Sequence, residues 1–95
     1  MTKSEVMQRR MDIVRLAAGR GARRIALFGS TARGESTAAS DVYFLVEFGA
    51  GRSLLDHGWL LMDLQDLLGC RVDVVSERAL RPRFRERVLR EALPL

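Results

Sequence analysis

Apolar residues recur at helical spacing in three stretches of the chain, and each stretch opens on a residue suited to a helix N-terminus. Ser4 can cap the first stretch. Ser53, with Asp56 three positions later, forms the capping-box pattern of the second. Pro82 suits the first turn of the third, in which apolar residues follow at intervals of four. We therefore predict helices over residues 4–18, over residues 53–68 and from residue 82 onward.

Three short apolar stretches between these helices have the character of β-strands: Arg24–Phe28, Asp41–Phe48 and Arg71–Val75. Side chains of the second stretch alternate between an apolar face and a face that contains Asp41 and Tyr43. In the third stretch, Asp73 lies on the face opposite two valines. Because a helix joins the second and third strands, we expect these two to be parallel. The short connection between the first two allows an antiparallel pair.

The elements follow the order α-β-(short α)-β-α-β-α, with the short helical turn inside the small, polar segment 30–40. This order predicts an α+β fold, α/β-like in its alternation, with a small mixed three-stranded sheet covered by helices. The length of 95 residues predicts a single domain over residues 1–95.

Composition excludes several classes of protein. Hydrophobic residues make up 47% and charged residues 29% of the chain, which is typical of a folded protein rather than a disordered one. The longest apolar run, residues 42–46, is too short to span a membrane, and no secretion leader opens the chain. The lone Cys70 cannot form an internal disulfide. We therefore expect a cytoplasmic protein without a membrane partner.

The charge balance leaves the partner open. The formal net charge is +4, and five arginines cluster in the last predicted helix, at positions 81, 83, 85, 87 and 90. Such an excess suits an acidic protein, a polyphosphate or a nucleic acid, and it is equally consistent with a solvated surface. Direct nucleic-acid binding is the least favoured of these, because no aromatic residues that could stack on bases interleave the arginines.

Candidate phosphate-binding and metal-binding residues lie at or next to the predicted strands. Gly29 and Ser30 end the first strand, and glycine together with exposed N–H groups and a hydroxyl can hold phosphate oxygens, although such a pair is also an ordinary turn. Asp41 and Asp73 lie on neighbouring predicted strands, so both carboxylates can reach one site. Carboxylate oxygens suit Mg²⁺, which proteins bind through one or two carboxylates and substrate phosphates. Taken singly, Asp41 is more typical of a capping or turn residue after Ser40, and Asp73 of an outward-facing residue on a half-exposed strand.

Three segments carry a resemblance to a known family: Leu27-Phe28-Gly29-Ser30-Thr31-Ala32-Arg33-Gly34-Glu35, Ser40-Asp41-Val42-Tyr43-Phe44-Leu45-Val46-Glu47-Phe48 and Arg71-Val72-Asp73-Val74-Val75. In this order and spacing they resemble the minimal nucleotidyltransferases of the DNA polymerase β superfamily. These proteins, called MNT, are antitoxins that accompany HEPN-domain toxins. The resemblance covers nearly the whole chain.

The resemblance implies a nucleotidyltransferase palm core and a set of site residues. Ser30 would grip the nucleotide phosphates, and Gly29 would allow their close approach. Asp41, the residue at position 43 and Asp73 would hold Mg²⁺, and Asp73 is placed to act as a base. The implied reaction transfers AMP from ATP to a tyrosine of a HEPN RNase toxin, within a possible hetero-oligomer. Arg33 could add a cationic contact to the phosphates or remain a solvated loop residue.

Position 43 departs from the family pattern, which requires Asp-x-Asp at 41 to 43, whereas this chain has Asp-Val-Tyr. A neutral phenol is a poor Mg²⁺ ligand, so we expect weak or absent transfer. The chain can be a variant of an active enzyme, engineered or sporadic, or a degenerate member that inhibits its partner by binding alone. Tyr43 can also serve altered chemistry, or simply be a good strand residue.

Overall fold

The computed structural model describes residues 1–95 and contains five α-helices and four β-strands. Their bounds are α1 Lys3–Gln8, α2 Arg10–Gly19, β1 Ala22–Phe28, α3 Ser30–Arg33, β2 Val42–Phe48, α4 Leu54–Leu68, β3 Val72–Ser76, α5 Pro82–Glu91 and β4 Leu93–Pro94. A 3₁₀ turn at Glu77–Ala79 separates β3 from α5. None of the helices combines the length and the apolar character needed to cross a membrane.

The mixed sheet has the strand order β3-β2-β1-β4. As expected, β1 and β2 are antiparallel and β2 and β3 are parallel. The prediction of three strands was wrong in number, because the chain leaves α5 in an extended conformation at Ala92 and β4 then pairs with β1. Pro94 can take part because this strand forms the edge of the sheet, where a missing N–H is tolerated. The α+β class is confirmed.

The predicted first helix is divided in two. Its cap is Thr2 rather than Ser4, since the Thr2 hydroxyl accepts from the backbone N–H of Glu5 and the Glu5 carboxylate accepts from that of Thr2. The break falls at Arg9, whose N–H bonds to the carbonyl of Val6 in a tight turn. This break still leaves both Val6 and Ile13 fully buried.

The core lies between one face of the sheet and the helices α2 and α4. It contains 13 buried residues: Val6, Ile13, Ala17, Ile25, Leu27, Val42, Phe44, Val46, Leu60, Leu64, Leu68, Val72 and Val74. The opposite face of the sheet is more open at the end that carries Tyr43, which is half-buried, and Asp73, which is exposed, although Leu45 on the same face is buried. The fold therefore leaves one sheet face available for chemistry.

Candidate functional site

The open face brings together the ends of three neighbouring strands. Phe28, the last residue of β1, pairs with Tyr43 of β2, and Tyr43 pairs in turn with Asp73 of β3. Paired residues point to the same face, and this is the face opposite the buried Val42 and Phe44. Neighbouring strands are about 4.8 Å apart, so Tyr43 lies within one strand spacing of Asp73 and of the end of β1.

Asp41 immediately precedes β2, two residues before Tyr43. Its Oδ1 lies 3.0 Å from Nε of Arg71, the residue two positions before Asp73. The two groups form an ion pair, but their geometry is not that of a hydrogen bond, and this buried oxygen has no hydrogen-bond donor. Asp41 therefore has a shielded oxygen whose lone pairs are unused. Such an atom is suited to a cation.

Gly29 lies next to Tyr43. Gly29 has φ +80° and ψ −158°, a backbone conformation that is essentially restricted to glycine. A Cβ built on Gly29 would lie 3.3 Å from Cδ2 of Tyr43, and the rings of Phe28 and Tyr43 have centroids 5.7 Å apart. The Tyr43 ring thus occupies the space beside the Gly29 backbone.

Arg33, at the end of α3, is engaged by carboxylates. Its Nε donates to Oε2 of Glu35 at 3.0 Å, and its Nη1 is 4.0 Å from Oε2 of Glu91 in α5. The guanidinium is half exposed. These pairs were not predicted from the sequence, and they give Arg33 a structural partner on α5.

The side chains around Tyr43 offer few ligands for Mg²⁺. No group of three or more His, Cys, Asp or Glu side chains comes together as a metal site. Asp73 shares the open face with Tyr43, and Asp41 lies two residues before Tyr43. The phenol of Tyr43 stands where the family resemblance leads us to expect a third carboxylate. One ion held by one or two carboxylates and by phosphates fits this set. A pair of ions, which usually requires three carboxylates, does not.

Sequence reasoning missed two charged residues: Arg71 beside Asp41, and Glu77 beyond the opposite end of β3. Arg71 pairs with Asp41, and the signal was present, because the parallel register aligns residues 41 and 43 with residues 71 and 73. Glu77 is 6% exposed and lies 3.3 Å from Nη2 of Arg24 and 3.6 Å from Nη2 of Arg85. No periodicity marked this carboxylate, since it lies in a 3₁₀ turn after β3.

Arg24 also fixes a second carboxylate on the open face. Its Nε donates to Oε2 of Glu47 at 2.6 Å. This hydrogen bond, followed by the coulombic effect of the same guanidinium, holds the pKa of Glu47 below its ordinary value and outweighs the opposing effect of burial. Arg24 therefore connects β2, through Glu47, to the turn that leads into α5.

Comparison with known proteins supports the sequence resemblance. The model of the nucleotidyltransferase domain family matches residues 6–95. The chain is 44% identical over 73 residues to the protein adenylyltransferase MntA of Thermococcus cleftensis. The aligned region covers 77% of this chain and 74% of that protein. A solved structure assigned as a minimal nucleotidyltransferase is 53% identical, with a TM-score of 0.92, and the match covers 100% of this chain and 97% of that one. A toxin–antitoxin structure with AMP-PNP shares the fold, with a TM-score of 0.74 at 19% identity over 99% of this chain and 72% of that one.

Proposed function

Because the chain belongs to the nucleotidyltransferase domain family, as the resemblance predicted, we propose that it is an MNT-type antitoxin built to transfer AMP from ATP to a tyrosine of a HEPN-domain RNase toxin. We further propose that Tyr43 impairs this reaction in the present chain. The name of the adenylyltransferase relative and the toxin–antitoxin likeness support the antitoxin role. The partner is a protein rather than a nucleic acid, and the pair acts in the cytoplasm as a hetero-oligomer.

The observation that carries this proposal is the register of β2 and β3. It aligns Tyr43 with Asp73, and β1 ends beside Tyr43 at Phe28. Asp41 lies two residues before Tyr43 in the chain. Asp41 and Asp73 would hold Mg²⁺, which would neutralise the charge that develops on the phosphates. Ser30 would donate its hydroxyl to a phosphate oxygen, and Gly29 would let the phosphates approach the backbone.

In the proposed reaction the hydroxyl oxygen of the toxin's tyrosine attacks the α-phosphorus of ATP. The bond from that phosphorus to the bridging oxygen of the β-phosphate breaks, and pyrophosphate leaves. The proton of the attacking hydroxyl passes to the carboxylate of Asp73, which is exposed on the open face and so accessible to an incoming side chain. Positioning and charge neutralisation supply most of the rate enhancement in this chemistry.

Tyr43 interferes in two ways. It replaces a carboxylate by a neutral phenol, and its ring fills the space beside Gly29 that a phosphate would approach. Losing one bridging carboxylate costs several kcal/mol of transition-state stabilisation, or roughly a thousandfold in rate.

The test is the variant Tyr43→Asp, assayed for Mg²⁺-dependent transfer of label from α-labelled ATP to a co-purified HEPN toxin. We expect a gain of about a thousandfold over the native chain. Tyr43→Phe, which keeps the ring and removes the hydroxyl, is the matched control and should remain as slow as the native chain. If the native chain labels the toxin as fast as Tyr43→Asp does, the assignment of roles is wrong.

A second candidate is an antitoxin that neutralises its partner by contact alone. The occupation of the phosphate side of the site by the Tyr43 ring favours it. Calorimetry with Mg²⁺ and AMP-PNP separates the two functions. Absence of binding to the native chain, together with inhibition of the toxin RNase by the same protein, would establish the contact-only function.

A further inference from the structure

The helix α4 is apolar on two opposite faces. Its inner face is buried in the core through Leu60, Leu64 and Leu68. On its outer face Leu55, Trp59 and Met62 are exposed by 63%, 46% and 61%. Their spacing of four and three residues places them in one stripe along the helix. A contiguous exposed apolar stripe of this kind marks an interaction surface, and this chain covers only the inner side of α4.

Gly58 belongs to the same outer stripe and lies in the interior of α4. Glycine destabilises a helix relative to alanine, so a glycine at this position calls for a reason. A Cβ added to Gly58 would meet no atom within 4 Å, which means that the packing of this chain does not require a glycine there. A helix surface without a side chain does allow a second backbone to come close.

Trp59 is held in place although nearly half of it is exposed. The guanidinium carbon of Arg20 lies 5.3 Å from the centroid of its ring, and Nε of Arg20 donates to Oδ2 of Asp63 at 2.7 Å. The arginine thus fixes the ring from one side and leaves its outer surface free. Large aromatic side chains that are fixed before association are the usual anchors of protein interfaces.

We propose that this stripe, defined by Leu55, Gly58, Trp59 and Met62, binds a second copy of the chain through antiparallel pairing of the two α4 helices. The stripe is self-complementary, because a twofold axis beside Gly58 and Trp59 places Leu55 of one copy next to Met62 of the second copy. The two glycines meet at the closest approach, and the two tryptophans lie side by side.

Charge selects the antiparallel arrangement. Asp66, which is exposed, continues the stripe toward the C-terminal end of α4. In an antiparallel pair it faces the N-terminal end of the other α4, where the helix dipole favours an acidic group. In a parallel pair it would face Asp66 of the second copy, and two like charges would oppose association.

The first test measures association of the purified chain by sedimentation over a concentration series. The stripe is only one helix wide, so we expect a weak, concentration-dependent dimer. Trp59→Ala should weaken it by about 30-fold or more. Gly58→Gln should raise the melting temperature of the monomer by several degrees, because it removes a helix glycine, and yet abolish the dimer. A chain that stays monomeric throughout the series overturns the proposal, and so does a Gly58→Gln variant that dimerises like the native chain.

The second test fixes the orientation by disulfide trapping in a Cys70→Ala background. The double variant Leu55→Cys with Met62→Cys should form a covalent dimer on oxidation. Leu55→Cys alone should not, because the two cysteines would lie roughly 10 Å apart along the antiparallel helices, beyond the reach of a disulfide. Trapping by Leu55→Cys alone would indicate parallel pairing and contradict the arrangement.

Discussion

Replacing Gly29 by alanine probes the turn at the end of β1 without changing any charge. The residue has φ +80° and ψ −158°, where L-residues with a Cβ are almost never found. The new methyl group would also lie 3.3 Å from Cδ2 of Tyr43, so the ring would have to move by a few tenths of an ångström. Gly29→Ala should therefore destabilise the protein through its backbone and through crowding.

The size of the effect follows from these two contributions. A residue held in a sparsely populated backbone region costs about 1–3 kcal/mol. Crowding of one methyl group against an aromatic ring that can adjust adds on the order of 1 kcal/mol. We expect a loss of about 2–4 kcal/mol in the free energy of unfolding, which is a large fraction of the roughly 5–15 kcal/mol typical of a domain. The melting temperature should fall by about 10 °C or more.

The assay is urea denaturation followed by circular dichroism, with Gly34→Ala as the matched control. Gly34 also has a positive φ, +76°, but a Cβ there would meet nothing within 4 Å. Its substitution should cost only the left-handed conformation, about 1–2 kcal/mol. Repeating Gly29→Ala in a Tyr43→Ala background removes the crowding, and the difference between the two backgrounds measures it.

One result would refute this reasoning directly. If Gly29→Ala costs less than about 0.5 kcal/mol, the turn can adopt an ordinary backbone conformation, and the close approach between Gly29 and Tyr43 is not a constraint of the fold. If Gly29→Ala costs the same as Gly34→Ala in both backgrounds, the backbone conformation accounts for the whole loss of stability. The new methyl group then does not crowd the Tyr43 ring.

Two further predictions concern the core and the pH dependence of stability. Leu27→Ala removes a fully buried side chain and should cost about 2–5 kcal/mol in the urea-denaturation free energy, whereas Leu54→Ala, 88% exposed, should stay within about 0.5 kcal/mol. The lowered folded-state pKa of Glu47 means that its pair with Arg24 stabilises the fold above the unfolded pKa of about 4.3. The stability difference between the native chain and Glu47→Gln should therefore shrink as the pH falls and vanish below the folded pKa.

Most of the fold was predictable from local pattern. The capping box of Ser53 and Asp56 forms as expected, with the Ser53 N–H donating to Asp56 at 3.0 Å, and Pro82 opens α5. The parallel pairing of β2 and β3 followed from the helix that joins them. The caps depend on neighbouring residues and the strand direction depends on the helix between the two strands, which is why a single sequence sufficed.

The features that were missed depend on distant pairing. The strand β4 has only two residues and exists because Leu93 and Pro94 meet β1, more than 60 positions earlier in the chain. The break of the first helix at Arg9 could not be predicted from the sequence, because no glycine or proline occurs there. The packing of Val6 and Ile13 into the core, rather than helix propensity, determines where the helix breaks.

The site illustrates the same division between local and distant information. Strand alternation and the expected parallel pairing predict from the sequence that Asp41 and Asp73 share a face, and the structure shows the parallel pairing with Tyr43 opposite Asp73. That Arg71 lies 3.0 Å from Asp41 follows only from the actual register.

This pairing has a consequence for position 43. A carboxylate there would lie between two others, and like charges at this spacing oppose folding unless a cation or Arg71 offsets them. Tyr43 avoids that repulsion and adds ring packing against Phe28. The residue that makes this sheet face easier to fold is thus the one that makes it poorer in metal ligands, as expected where stability and catalysis compete for one position.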